Sequence, residues 1–214
     1  MTDGRILLAT QNPGKVREIR RAFRGQSLKI IGLEDVLPGL SHRERGKTFS
    51  ANARAKGLFY SQKWGGLTVA EDSGLEIEAL DGAPGVRSAR FSSPKPSDEK
   101  NNRKVLRLLR EVPAEERKAR FVCVMVLAEK GRVVREFRGE VRGRIGFSPR
   151  GSSGFGYDPL FYYPPLRRTF AELPPEVKNV VSHRGRAILK LRAFLEAEKK
   201  APPGARPGRA AARR

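Results

Sequence analysis

Residues 5–24 read RILLATQNPGKVREIRRAFR, and this stretch decides the fold class. Ile6-Leu7-Leu8-Ala9 is a short unbroken apolar run, so residues 5–9 predict a buried strand. The polar segment Thr10–Gly14 ends that run, and Val16, Ile19 and Phe23 then recur at helical spacing, which predicts a helix from Lys15 to about Arg24. A strand feeding a helix through one tight turn is the beginning of an α/β fold. Further along, Leu28–Leu33 predicts a second strand, and Thr48 to about Gln62 a helix with Phe49, Ala53 and Leu58 or Phe59 inward. Leu67–Ala70 predicts a strand running into an acidic turn, Glu71-Asp72-Ser73-Gly74, after which Leu75–Ala79 alternates as a half-exposed strand does. Ser97 suits the cap of a helix reaching Val112, whose apolar stripe is Val105, Leu108, Leu109 and Val112. Arg120–Glu129, the turn Lys130-Gly131 and Arg132–Ile145 predict a hairpin with Val133, Phe137, Val141 and Ile145 on one face. A final helix from about His183 to Lys199 buries Ile188, Leu191 and Leu195. The expected fold is therefore α/β, a mixed sheet flanked by helices.

The chain has 214 residues, enough for one large domain and short of a comfortable pair. Its hydrophobic fraction is 38%, yet no apolar run approaches the roughly 20 residues of a bilayer-spanning helix, nor does the N-terminus carry the apolar stretch of a secretory signal. A cytoplasmic chain without a membrane span is the expectation. The single cysteine, Cys123, lies in an apolar run and reads as a core residue, and with only two histidines no thiolate–imidazole zinc cage can form. Any metal must be held by oxygens. The formal net charge of +21 calls for an anionic partner, whether nucleic acid, acidic membrane or polyphosphate. Part of that excess belongs to the Pro/Gly/Ala/Arg-rich end, read as a disordered basic tail over 200–214, which leaves 1–199 as one domain.

Four stretches, and one further acid, bear residues suited to chemistry. Thr10-Gln11-Asn12-Pro13-Gly14-Lys15 stands between strand and helix, where free N–H groups and a lysine attract phosphate. It is not a Walker loop, since Lys15 is followed by Val16, and an ordinary strand-to-helix turn explains it equally. Glu71 and Asp72 are adjacent carboxylates at a strand end, suited to a magnesium ion and an attacking water; a solvated turn with a capping acid is the plainer account. Glu44 offers a further metal-neighbouring acid, against simple ion pairing with Arg43 or Arg45. Phe155, Gly156, Tyr157 and Asp158 interleave aromatic rings with glycine, as in a base-stacking loop or in a tight turn with core aromatics. Lys178, His183 and Arg184 gather donors at a helix start, where Ser182 with two solvated cations is the alternative.

Taken together, TQNPGK at 10–15, ERGKTFSANA at 44–53, EDSGL at 71–75, GAPGVRSARF at 82–91, GFGYDPLF at 154–161 and SHRGRA at 182–187 resemble the noncanonical purine nucleoside triphosphate pyrophosphatases, the inosine/xanthosine triphosphate house-cleaning enzymes. The resemblance runs in order from about residue 5 to 197. It implies an elongated two-lobed α/β fold with a cleft between the lobes, a homodimer, and Mg²⁺-dependent cleavage of ITP, dITP and XTP to the monophosphate and pyrophosphate. Carried over position by position, Thr10, Gln11, Asn12, Pro13, Gly14 and Lys15 resemble the triphosphate-binding loop. Asp72 resembles the catalytic base and metal-associated acid, Glu44 the more distant metal-site carboxylate, and Ser73 a substrate contact. Phe155, Gly156, Tyr157, Asp158, Lys178, His183 and Arg184 resemble the nucleobase-side contacts. Two departures stand out: Ser50-Ala51 replaces a pair of acids common in the family, and Arg87 stands where tyrosine is common in the PGVYSAR string. The first removes further carboxylate support for the metal.

Two rival readings remain at this level. One is a basic nucleic-acid-binding protein using its charge, its tail and the aromatic–glycine loop, which gives Glu71 and Asp72 no task. A combined version keeps the enzyme and assigns the tail a weak nonspecific nucleic-acid contact. The other is a pyrophosphatase acting on a different nucleotide with the same phosphate machinery.

Overall fold

The structure, a computed structural model, describes residues 4–200. The basic tail expected from residue 200 lies outside them except for Lys200, which closes the last helix. Strand β1 (Arg5–Ala9) is followed by helix α1 (Pro13–Ala22), which begins two residues before the sequence-based start because Pro13 fills its first turn. Asn12 caps it, its Oδ1 accepting the Lys15 N–H at 3.1 Å. Strand β2 (Lys29–Gly32) and the short helix α2 (Leu33–Val36) lead to α3 (Phe49–Trp64). Thr48 caps α3 by accepting from the Ala51 N–H, and Gly65 ends it in the left-handed region at φ 76°.

Strand β3 (Leu67–Ile77) corrects one expectation: no acidic turn follows Ala70, and Glu71-Asp72-Ser73-Gly74 continues the strand. The alternating apolar residues on both sides keep the segment in the sheet, so the carboxylates are built into its interior. Helix α4 (Asp98–Leu108) is capped by Ser97 as expected but stops short of Val112, and Leu108 is exposed while Val105 and Leu109 are buried. Strands β4 (Lys118–Glu129) and β5 (Arg132–Ile145) form the expected hairpin, with Lys130 and Gly131 at φ 50° and 75° in the two-residue turn. Short strands β6 (Phe161–Tyr163) and β7 (Arg168–Thr169) and helix α5 (Pro175–Val181) had no periodic signal long enough to predict them. Helix α6 (His183–Lys200) buries Ile188, Leu191 and Leu195.

The strand order is β2-β1-β3-β4-β5-β6-β7. Strand β1 pairs in parallel with β2 and β3, whereas β5–β6 and β6–β7 are antiparallel, so the sheet is mixed. The chain forms two compact units. Among the described residues, one takes in the chain from Gly4 through Asp72, then Val124–Arg138 and Arg186–Lys200. Its core includes Leu7, Ala9, Ile31, Leu33, Tyr60 and Ala70. The other comprises Ser73–Cys123 and Gly139–Gly185, with a core of Leu75, Val105, Leu109, Phe121, Phe161 and Phe170. Cys123 is buried, as its apolar run foretold. Among the described residues no helix is long and apolar enough to cross a membrane.

The passage from α5 into α6 is tight. A Cβ built on Gly185 would stand 1.7 Å from the Asn179 carbonyl oxygen, while Ser182 Oγ accepts the Gly185 N–H at 3.1 Å. Alanine improves helix propensity by about 1 kcal/mol, but displacing a backbone carbonyl costs roughly 1–3 kcal/mol, so the clash outweighs it. Gly185→Ala is expected to lower the thermal midpoint measured by calorimetry.

Candidate functional site

The first group of chemistry-bearing side chains lies in the unit that ends at Asp72. Strand β3 carries Glu71 and Asp72, which are 0% and 5% exposed. Buried carboxylates need cations or donors. Lys15, from the first turn of α1, places Nζ 2.8 Å from Glu71 Oε1. On α3, Asn52 donates from Nδ2 to Asp72 Oδ2 at 2.9 Å and accepts the Gly46 N–H on Oδ1 at 2.7 Å, so one amide ties the 42–48 loop to the strand. One turn further along α3, Lys56 pairs with Glu44, which corrects the expectation of pairing with Arg43 or Arg45. Gly46 is needed there, since a Cβ on it would fall 2.6 Å from Asn52 Oδ1.

Burial pushes the Asp72 carboxyl above the usual aspartate value, and the Glu44 charge pushes the same way. The ammonium groups of Lys15 and Lys56 and the Asn52 hydrogen bond oppose the shift without cancelling it. Lys15 and Asp72 thus belong to one electrostatic cluster, as their motifs implied. Within the proposed phosphate loop, Asn12 Oδ1 is committed to capping and Thr10 Oγ1 accepts the Asn12 N–H, whereas Gln11 and Pro13 are exposed and Gly14 is buried. Ser50, in the position of a missing acid, donates its hydroxyl to Glu136 Oε2 at 2.7 Å. Among the described residues no three His, Cys, Asp or Glu side chains gather as a metal cage.

The second group lies in the other unit. Arg184 donates to Ser73 Oγ at 2.8 Å, and its guanidinium sits 5.5 Å from the centre of the half-buried Phe155 ring. Lys178 is buried against the same ring at 5.0 Å and pairs with Asp158, whose Oδ2 also accepts the Phe155 N–H at 2.9 Å. His183 stacks on Phe121 at 4.6 Å with the planes 9° apart. These cations are buried, not solvated as the plainer reading held. Tyr157 departs from the base-stacking expectation: it is a core residue, its hydroxyl donates to the Ser88 carbonyl at 2.8 Å, and burial pushes its phenol up.

Sequence reading missed four residues. Asn52 and Lys56 are a polar pair at i and i+4 on the buried side of α3, and polar side chains at inward positions were the available signal. Asp98 and Asn102 bear a similar relation on α4: Asp98 Oδ2 accepts the Gly156 N–H at 2.6 Å and Asn102 Nδ2 donates to the Gly156 carbonyl at 3.0 Å. Nothing in their spacing separated them from ordinary first-turn polar residues.

A buried carboxylate flanked by lysines, together with a second cluster of buried donors around an aromatic ring, defines an anion-handling α/β protein equipped for acid–base chemistry. The Ham1 family matches residues 6–194, and the chain belongs to that family. It is 47% identical over 191 residues to a dITP/XTP pyrophosphatase of Geobacter sulfurreducens, covering 89% of this chain and 96% of that protein. It is 44% identical over 199 residues to a dITP/XTP pyrophosphatase of Thermus thermophilus, covering 93% and 94%. Among solved structures, a HAM1 protein from Coxiella burnetii superposes with a TM-score of 0.82 at 38% identity, covering 90% of this chain and 98% of that one. The Staphylococcus aureus Ham1 protein gives 0.81 at 38% identity, covering 91% and 99%.

The raised Asp72 carboxyl has a consequence for stability. Below the ordinary aspartate range the group is protonated folded or unfolded and costs nothing; as pH rises through that range to the higher folded-state value, folding must oppose its ionisation. Asp72→Asn is therefore expected to raise the thermal midpoint of the metal-free protein at pH 7. The gain should vanish as pH falls below the ordinary aspartate range, read by calorimetry across a pH series.

Proposed function

We propose that this chain hydrolyses noncanonical purine nucleoside triphosphates, ITP, dITP and XTP, to the monophosphate and pyrophosphate, and so cleanses the nucleotide pool. The observation that carries the reading is the buried Asp72 carboxylate held among Lys15, Lys56, Glu44 and Asn52, in a chain whose relatives are named for this reaction. Asp72 orients the attacking water and takes its proton as the water adds to the α-phosphorus. Its upward-shifted carboxyl makes it a stronger base than an exposed aspartate would be. Lys15 and the N-terminal turn of α1, with Thr10, Gln11, Asn12, Pro13 and Gly14, receive the phosphate chain. Their donors offset part of the charge that accumulates as pyrophosphate leaves.

The donor set suits magnesium: carboxylate oxygens only, few of them, with Asp72 and Glu44 close enough for one charge to raise the other's carboxyl. Asp72 and Glu44 would hold the ion, and magnesium when bound supplies charge neutralisation at the anhydride oxygens. Ser73 contacts the substrate, and Phe155, Gly156, Asp158, Lys178, His183 and Arg184 serve the nucleobase. Donors there favour the C6 oxygen of hypoxanthine and xanthine over the amino group of adenine, since a mispaired buried donor is costly. Tyr157 supports this group from the core. We further propose a homodimer, a cytoplasmic location, and a weak nonspecific nucleic-acid contact through the arginine-rich segment beyond Lys200.

The test is a nucleotide panel with magnesium, scoring pyrophosphate separately from orthophosphate. ITP, dITP and XTP are expected to be cleaved to pyrophosphate far faster than ATP and GTP, with activity lost on chelation and restored by magnesium. Asp72→Asn should lower kcat by several orders of magnitude while nucleotide binding persists. Equal rates on all five nucleotides, or near-normal turnover by the variant, would refute the reading.

A further inference from the structure

In the catalytic cluster proposed above, Lys15 pairs with Glu71 and Lys56 with Glu44, so much of the local positive charge is neutralised within the protein. A different cavity, in the unit Ser73–Cys123 with Gly139–Gly185, lacks that compensation. It measures about 350 Å³ and is lined by Ser92, Ser93, Lys100, Arg103, Lys104 and Arg107. The four cations stand at i, i+3, i+4 and i+7 of α4 and so share one helix face. No carboxylate lines the cavity. The nearest acid partner, Glu99, reaches Arg103 only at 3.7 Å through two mostly exposed side chains, a contact worth little. Arg107 makes no ion pair among the described residues.

The cations are partly held in place. Lys104 donates to the Phe91 carbonyl at 2.7 Å and lies 4.2 Å from the centre of the Phe91 ring; Lys100 donates to the Lys95 carbonyl at 3.1 Å. Ser92 has its N–H bonded to Asn101 Oδ1, while its hydroxyl is buried with no hydrogen-bond partner among the described residues. Four like charges on one helix face repel one another, and a multivalent anion seated among them relieves that repulsion.

We propose that this cavity is a second anion-binding site, separate from the catalytic cluster, for a ligand with two or more closely spaced phosphate groups. Its volume is at the small end of ligand pockets, which suits a short phosphate chain and leaves no apolar wall for a base. That chemistry is offered both by a free polyphosphate and by a nucleic-acid backbone. The proposal does not depend on the hydrolytic reaction.

The experiment is a titration of the full-length ¹⁵N-labelled protein, without magnesium, with inorganic tripolyphosphate in one arm and a twelve-nucleotide oligothymidylate in the other. The Ser92, Ser93, Lys104 and Arg107 amides are expected to shift saturably in at least one arm. Saturation by tripolyphosphate alone identifies a free polyphosphate; tighter saturation by the oligonucleotide identifies a backbone. The variant Arg103→Ala/Arg107→Ala removes two exposed side chains on a helix where alanine is favourable, so it should fold with an unchanged melting temperature. It should weaken binding read at Ser92 and Ser93 about tenfold or more, and lower the salt slope for the oligonucleotide by about one per cation, with dITP hydrolysis unchanged. Absence of these shifts at millimolar probe in both arms, or shifts that the double variant leaves intact, would overturn the proposal.

Discussion

Two carboxylates inside strand β3 constrain everything around them. Glu71 and Asp72 lie where the sheet excludes water, and an ionised acid there is tolerated only if neighbouring elements deliver cations and donors. Helix α1 does so by starting at Pro13, which brings Lys15 into its first turn. Helix α3 does so by turning Asn52 and Lys56 inward at i and i+4, at positions where an apolar side chain would stabilise the core more. The 42–48 loop follows, since Gly46 and Glu44 are tied to those two residues. Charge is placed where apolar side chains would stabilise the fold more, the pattern expected of a functional site and not of a core.

The second cluster is built by the same rule with different parts. Lys178 and Asp158 are a buried pair that fixes the Phe155 backbone, and Arg184 joins Ser73 to the face of the Phe155 ring. Helix α4 adds support from its first turns: Asp98 and Asn102 hold the N–H and carbonyl of Gly156. Thus α4 serves the glycine–aromatic loop with one set of side chains and presents its cations to the separate cavity with another.

Much of this was legible in the sequence because it rests on local signals. The apolar run Ile6–Ala9, the helix start at Thr48, the cap Ser97 and the Lys130-Gly131 turn each act within a few residues, and each gives its element in kind, with Thr48 standing as the cap of α3 and not as its first residue. The misreadings share a cause. Glu71-Asp72-Ser73-Gly74 has the composition of a turn, and only its place in the sheet beside β4, tens of residues further along the chain, makes it a strand. Tyr157 looked like a stacking ring because composition cannot say which of two aromatics faces the core. Strands β6 and β7 have three and two residues, too short for any period, and are held by their pairing.

The most direct test of the central claim is a ¹³C titration of the Asp72 side-chain carboxyl in magnesium-free protein. The expected midpoint lies above that of an ordinary aspartate. A further upward movement is expected in Asn52→Ala, because that hydrogen bond favours the ionised form. A midpoint at or below the ordinary value, unmoved by the substitution, would mean that the cations fully neutralise Asp72, and that it is a structural ion-pair member and not a poised base.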